Sequence, residues 1–253
     1  MVYQDIVFYQ QRQRRLFATE KNLSGWRYYE DNRNPEKYSY HFLSVDRPGF
    51  TESIRQQYLA TCEKRAFVRF HVNNHAYFPP QSIPGYGDPV RKTLTFMVNQ
   101  VKHPQVDLLP SPIYIQRVDL KDNRFYQWLY QTNVEYGETY AIANAKRLIE
   151  VSKQFANILH FVAILEGKIV GQLTLYLWEK VAELDEFYVL ASQQGKGIGT
   201  KLYQHAMMQL NQRGMEEVFL VTDPTQPAKL IYERWGFLEI GHYDEVHFQK
   251  LKK

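Results

Sequence analysis

The 253-residue sequence has a single cysteine, Cys62, so no disulfide can form within the chain. We interpret Cys62 as a small buried apolar residue and not as a nucleophile. The N-terminal stretch MVYQDIVFYQQRQRR lacks the apolar core of a signal peptide. No stretch approaches the roughly 18 consecutive apolar residues of a membrane span. These absences predict a cytoplasmic protein without a membrane partner.

Metal-ligand patterns are also lacking. Four histidines in the second half show no ligand spacing: His160, His205, His242 and His247. A bound zinc ion requires clustered His, Cys or carboxylate ligands, so we expect no metal cofactor. There is likewise no repeat at solenoid spacing and no low-complexity tract.

The net charge of +4 is small for a chain of this length. A local basic excess lies at Arg12, Arg14 and Arg15. We interpret it as the solvated face of a helix, and we expect no nucleic-acid partner.

Two segments rich in proline and glycine divide the chain. FPPQSIPGYGDP (78–89) predicts a long ordered loop, and KHPQVDLLPSP (102–112) separates two patterned regions. We therefore predict an accessory α+β domain over 1–108 and a larger α/β domain over 109–253. The accessory part shows strand patterns at 38–45, 66–72 and 93–101, with a helix containing Ile54 and Tyr58 after the first.

The second half has a clearer order of elements. The pattern predicts strand, helices, three strands, helix, strand, helix and strand. The segments are 113–118, helices within 122–154, a hairpin over 160–178 that turns at 166–168, and then 181–190, 199–214, 216–223, 227–237 and 242–251. In the 199–214 helix, Leu202, Ala206, Met207 and Leu210 share one face.

The stretch QQGKGIGTKL (193–202) places three glycines at the start of that helix. Glycines let backbone N–H groups approach a ligand closely, and a helix N-terminus attracts phosphate. A Walker loop does not match, because the order is Gly199-Thr200-Lys201, and a dinucleotide fingerprint fails at Thr200. The pattern Gln/Arg-x-x-Gly-x-Gly/Ala is satisfied by Gln194, Gly197 and Gly199.

That pattern resembles the coenzyme A loop of the GCN5-related N-acetyltransferases. The resemblance extends over LDEFYVLASQQGKGIGTKL and over a second signature, AKLIYERWGF, but not over residues 1–110. It implies that family's fold, a mixed and mostly antiparallel central sheet flanked by helices. The first half lacks the loop pattern. We predict that it is a degenerate copy of the same fold, does not bind coenzyme A, and shapes the acceptor site or a homodimer interface.

The resemblance implies acetyl-CoA as cosubstrate. Backbone groups near Tyr188, Val189 and Leu190 would hold the pantetheine arm, and the N–H of Val189 or Leu190 would polarise the thioester carbonyl. Thr225 stands where the family often has Asn, and a threonine there can still cap a helix. The implied cofactor-binding residues are Tyr188, Val189, Leu190, Gln194, Gly195, Lys196, Gly197, Ile198, Gly199, Thr200 and Thr225.

The resemblance also implies catalytic roles. Tyr232 matches the family tyrosine near the sulfur, a general acid for the leaving thiolate; the alternative is an aromatic packed beside Trp235. The candidate bases are Glu183 and Asp185, which share one strand face. Glu186 faces the other way unless a bulge resets the alternation.

The expected activity is acetyl transfer from acetyl-CoA to a primary amine by direct attack in a ternary complex. Two alternatives stay open: transfer from another acyl-CoA or to a hydroxyl, and a coenzyme A-binding regulatory module without turnover.

Overall fold

The computed structural model describes residues 1–73, 82–102 and 112–251. Within them the chain is a mixed α/β protein, as the sequence predicts. The helices are α1 (Tyr3–Phe17), α2 (Glu52–Thr61), α3 (Asn123–Gln131), α4 (Glu138–Gln154), α5 (Ile198–Gln212) and α6 (Ala228–Arg234). The strands are β1 (Thr19–Leu23), β2 (Trp26–Glu30), β3 (Phe42–Val45), β4 (Phe67–Asn73), β5 (Val90–Gln100), β6 (Ile113–Arg117), β7 (Ile158–Leu165), β8 (Lys168–Trp178), β9 (Val181–Val189), β10 (Glu217–Thr222) and β11 (Leu238–Gln249).

The chain divides into two compact units, each drawn from several stretches of sequence. Unit A comprises Met1–Gln10, Met97–Leu220 and Gly236–Leu238. Unit B comprises Gln11–Phe96, Val221–Trp235 and Glu239–Lys253. The predicted boundary between residues 108 and 109 lies outside the described residues, as do residues 78–81 of the predicted loop, and both stay predictions. No helix of the described ranges is long and apolar enough to cross a bilayer.

In unit A the strand order is β10-β9-β8-β7-β6. The β9–β10 pair is parallel and the other pairs are antiparallel. Glu166 and Gly167 form the turn between β7 and β8 with φ angles of 51° and 74°, which confirms the predicted hairpin.

Helices cover both faces of the unit A sheet. On one face, the indole N–H of Trp128 in α3 donates to Gln172 Oε1 on β8 at 2.5 Å. On the other face lies α5, whose His205 ring contacts Phe161 with centroids 5.1 Å apart. The apolar face predicted for α5 is confirmed by the burial of its four residues, Leu202, Ala206, Met207 and Leu210.

Unit B is built on five strands in the order β1-β2-β3-β4-β11. The β3–β4 pair is parallel and is connected through α2; the other pairs are antiparallel. Cys62 is fully buried in its apolar core with Tyr58 and Phe70. The prediction of a small buried residue at Cys62 is confirmed.

Two predictions for the first half are wrong. The segment 38–45 is not one strand, because Tyr38–Tyr40 forms a 3₁₀ turn before β3 and the Tyr40 ring stacks on Phe17 at 4.8 Å. Arg14 is not on a solvated helix face. Its guanidinium lies over the Phe42 ring at 4.6 Å, and its Nη2 donates to the Tyr243 hydroxyl at 3.4 Å. Arg15 is solvated and pairs with Glu20.

Candidate active site

The glycine stretch forms the turn that leads into α5. Gly195 and Gly197 both have φ angles of 76°, the left-handed region that favours glycine. Gly197 is the N-cap of α5, and the helix start has no side-chain cap among the described residues. A Cβ built on either glycine would meet no atom within 4 Å, so the space beside the turn is open.

The start of α5 suits an anion. Its first turn carries no acidic residue, and its leading N–H groups belong to Ile198, Gly199 and Thr200. Lys196 lies in the same turn and donates from Nζ to Gln193 Oε1 at 3.0 Å. Exposed N–H groups, the positive end of the helix dipole and a nearby cation together favour phosphate oxygens.

The corresponding helix of unit B has a different start. In α2 the Thr51 hydroxyl accepts from the Ile54 N–H at 3.4 Å, and Glu52 occupies the first turn. A capped N-terminus beside a carboxylate disfavours phosphate. This contrast supports the prediction that the first half does not bind coenzyme A.

A strand fork, defined as the divergence of β9 from β10, lies before the glycine turn. The two strands pair only at Val181–Glu183 with Glu217–Phe219. Beyond Glu183, β9 continues beside β8 as far as Val189. The space between diverging parallel strands lets an extended chain lie along the β9 backbone, as an added strand does.

The backbone at the end of β9 distinguishes the two predicted amides. The Leu190 N–H donates to the Val170 carbonyl on the β8 side at 3.0 Å. Because successive N–H groups alternate along a strand, the Val189 N–H points away from β8, toward the fork. Of the two predicted donors, Val189 is therefore the one directed to the open side.

A β-bulge interrupts β9 within the fork. Thr174 pairs with Asp185 and Gln172 pairs with Tyr188, so β9 has one residue more than β8 over this stretch. Glu186 has a φ of 48°, and its N–H donates to Asp185 Oδ1 at 2.8 Å. One predicted base therefore supports the bulge with its carboxylate.

The carboxylates share a face as predicted, since Glu183 pairs with Tyr176 and Asp185 with Thr174 on the same strand. Glu183 pairs with Phe219 on its other side, at the root of the fork, and is only 4% exposed. A carboxylate buried at that depth is costly unless it is paired or functional. Glu183 is the better placed of the two predicted bases.

Two predicted residues belong to unit B. Tyr232 lies in α6, is buried, and meets the Trp235 ring edge to face at 5.9 Å. Thr225 does not cap α6, whose N-cap is Pro227. Its hydroxyl donates instead to Asp223 Oδ1 at 2.6 Å, and the cofactor contact predicted for Thr225 stays a prediction. The helix and its following glycine agree with the predicted pattern.

A buried hydrogen-bonded chain of Ser152, His160 and Thr174 in unit A resembles a nucleophile relay, but all of its bonds are made to buried protein groups. Ser152 Oγ donates to the Leu148 carbonyl at 2.7 Å and so accepts from His160 Nε2, while Nδ1 accepts from the Thr174 hydroxyl at 2.8 Å. Burial lowers the pKa of His160 to about 3. A neutral, enclosed histidine with both nitrogens bonded is structural. The described residues contain no group of three or more His, Cys, Asp or Glu side chains suited to a metal ion.

Sequence reasoning missed a cavity on the α3 side of the unit A sheet. Its volume is about 760 Å³, and its walls include Trp128 and Tyr188. Asn123, Gln127 and Gln131, spaced four residues apart on α3, also line it. That spacing of amide side chains along α3 was the available signal in the sequence.

Comparison with known proteins agrees with this geometry. The model of the Acetyltransferase (GNAT) family matches residues 123–237. A search of curated proteins finds no match. A functionally unknown conserved protein from Staphylococcus epidermidis superposes with a TM-score of 0.70 at 20% identity, covering 92% of this chain and 95% of that one.

Two further solved structures share the fold. A GCN5-related N-acetyltransferase from Kribbella flavida has a TM-score of 0.63 at 14% identity, covering 98% of this chain and 95% of its own. A tandem GNAT protein from the clavulanic acid biosynthesis pathway has a TM-score of 0.59 at 11% identity, covering 90% and 79%. Residues 123–237 of the chain thus form an acyltransferase domain. This domain belongs to the GNAT acetyltransferase family.

Proposed function

We propose that the protein transfers an acetyl group from acetyl-CoA to a primary amine by direct attack in a ternary complex. The observation that carries this proposal is the strand fork of β9 and β10, which opens directly before the uncapped start of α5. The strand fork suits an extended pantetheine arm, and the start of α5 suits a pyrophosphate.

Each residue then has a defined task. The Val189 N–H donates to the thioester carbonyl oxygen and stabilises the charge that develops there. Glu183 takes the proton from the attacking amine through a chain of water molecules, because Glu183 and Val189 pair with β8 residues five positions apart, roughly 17 Å along the strand. A C–N bond forms and the C–S bond breaks. The leaving thiolate takes a proton from the Tyr232 hydroxyl, a role that rests on the AKLIYERWGF motif.

Calorimetry and a thiol-release assay test the proposal together. We expect acetyl-CoA to bind with one site per chain, because α2 is capped by Thr51 and begins with Glu52. We also expect thiol release that depends on an added amine and yields the N-acetylated product by mass spectrometry. Tight binding without turnover across polyamines, peptides and amino sugars would support a regulatory module instead. Preferential turnover of a longer acyl-CoA, or an O-acetyl product, would support the other alternative.

A further inference from the structure

The cavity beside β9 has the dimensions of a small-molecule site. Its volume of about 760 Å³ lies within the range of roughly 300–1,000 Å³ typical of ligand pockets. It is bounded by α3, by the turn between β7 and β8, and by the end of β9. Tyr188, Leu190 and Gln193 line the cavity and also belong to the stretch that leads into α5.

A row of amides lines one wall. This amide row consists of Asn123, Gln127 and Gln131, which follow one another at helical spacing and have exposed side chains. A side-chain amide presents both a donor and an acceptor. A hydroxyl group does the same, so a row of amides matches a ligand with several hydroxyls.

Two aromatic rings form another part of the wall. The Trp128 and Tyr188 rings lie 6.0 Å apart at 54°. The Trp128 N–H is already bonded to Gln172 Oε1, which fixes the orientation of the indole. Flat apolar ring faces pack well against the C–H face of a saturated ring, while the amide row bonds its hydroxyls.

The charge of the lining is balanced. Asp122 pairs with Arg124 at 2.7 Å, and the lining contains one further carboxylate, Glu135, and one further cation, Lys168. A polycationic acceptor is recognised by an excess of carboxylates, and a polyanion by an excess of cations. The balance favours a ligand of low net charge.

We propose that the acyl acceptor is an amino sugar, a small hydroxyl-rich primary amine of low net charge, bound between the amide row and the two aromatic rings. This inference rests on the proposed acetyl transfer. It names the acceptor class of the same reaction and places the sugar ring on the α3 side of β9.

The test compares glucosamine, spermidine and a lysine peptide as acceptors in the thiol-release assay. We expect the highest kcat/KM with glucosamine. The double variant Gln127→Leu/Gln131→Leu should raise the KM for glucosamine about tenfold or more, because two hydrogen bonds are lost. Its affinity for acetyl-CoA should be unchanged. The matched control Gln209→Leu/Gln212→Leu changes two glutamines on α5, outside the cavity lining, and should leave that KM unchanged.

A second measurement is independent of turnover. Glucosamine should bind the wild-type protein saturated with coenzyme A by calorimetry, and the double variant should bind it at least tenfold more weakly. Preferred turnover of spermidine or the peptide, or equal binding of glucosamine by both proteins, would overturn the acceptor assignment alone. Failure to bind acetyl-CoA would overturn the proposed function, and the acceptor assignment with it.

Discussion

The side-chain amide of Gln194 donates a hydrogen bond to the Val189 backbone carbonyl at 3.0 Å. This bond connects the first residue of the Gln-x-x-Gly-x-Gly pattern to the end of β9. The glutamine therefore acts on the loop from within, by holding the glycine turn against the strand whose backbone faces the fork.

Gln194→Ala should weaken acetyl-CoA binding about tenfold, because a loop without this bond must be ordered on binding. Since Gln194 is exposed, the free energy of unfolding should change by less than about 1 kcal/mol. Calorimetry and urea unfolding measure the two quantities. Gln209→Ala, a change of the same type on α5, serves as control; equal affinity in both variants would contradict the anchoring role.

Gly197→Ala should lose both stability and coenzyme affinity. Its φ of 76° costs an alanine about 1 kcal/mol, and the added methyl group enters the open space beside the α5 amides. Gly214→Ala is a close match, because Gly214 has a φ of 66° and equally open surroundings. We expect similar losses in the free energy of unfolding from both variants, but weaker acetyl-CoA binding from Gly197→Ala alone. Equal affinities would place the ligand elsewhere.

Gly171→Ala tests the packing of β8 against β9 and α5, the two elements that flank the glycine turn. A Cβ at this position would lie 3.1 Å from the Tyr188 carbonyl oxygen and 3.2 Å from Leu202 on α5. Overpacking of this kind costs about 1–3 kcal/mol, and a shift of β9 or α5 should also weaken acetyl-CoA binding. At Gly87 the nearest atoms are 3.8 Å from the added carbon. Gly87→Ala should leave both the unfolding midpoint and the affinity near wild type.

Tyr232→Phe should lower kcat by about 10²-fold or more while acetyl-CoA affinity stays the same, if the hydroxyl protonates the thiolate. The thiol-release assay measures kcat, and calorimetry measures the affinity for acetyl-CoA. Tyr58→Phe removes another buried hydroxyl, one that donates to the Arg69 carbonyl, and should affect stability but not rate. An unchanged kcat in Tyr232→Phe would rule out the general-acid role of the hydroxyl.

Stability should fall with decreasing pH because of buried neutral histidines. Burial lowers the pKa of His160 to about 3 and that of His71 well below its usual range. Below about pH 6.5 these histidines become protonated in the unfolded chain but stay neutral in the folded chain. The free energy of unfolding therefore falls by about 1.4 kcal/mol per pH unit for each such histidine, down to its folded pKa.

Urea unfolding at pH 7.5, 6 and 5 measures this slope. His160→Gln should make the slope shallower, although it also lowers stability at every pH by breaking the bonds to Ser152 and Thr174. His242→Gln changes an exposed histidine and should reproduce the wild-type slope. A slope that is the same in wild type and His160→Gln would show that the buried ring does not set the acid sensitivity.

Much of unit A was predictable because its signals are local. Periodicity fixed the buried face of α5, Glu166-Gly167 marked a hairpin, and the Gln-x-x-Gly-x-Gly pattern marked a helix start that requires left-handed glycines. These features depend on backbone sterics and side-chain spacing within a few residues. The order of elements and the family resemblance follow from such signals together.

Local patterns did not reveal contacts that depend on distant partners. Arg14 reads as a surface cation, but Phe42 and Tyr243 provide a partly buried site for its guanidinium. The position of Thr225 before α6 is compatible with a helix cap, but its hydroxyl donates a hydrogen bond to Asp223. A hydrogen bond or cation–π contact is decided by which groups the fold brings near, and that information is spread along the chain.

The sequence by itself determined the element order of unit A, the glycine turn and the candidate carboxylates on one face of β9. Only the tertiary structure decided which of these groups lie where chemistry is feasible. The pairing of β9 with β10 ends at Glu183, and the Leu190 N–H donates to the Val170 carbonyl. The Asp185 carboxylate accepts from the Glu186 N–H within the bulge. Strand pairing and burial depend on neighbours across the sheet. They therefore distinguish Val189 from Leu190 and Glu183 from Asp185, which spacing along the sequence cannot do.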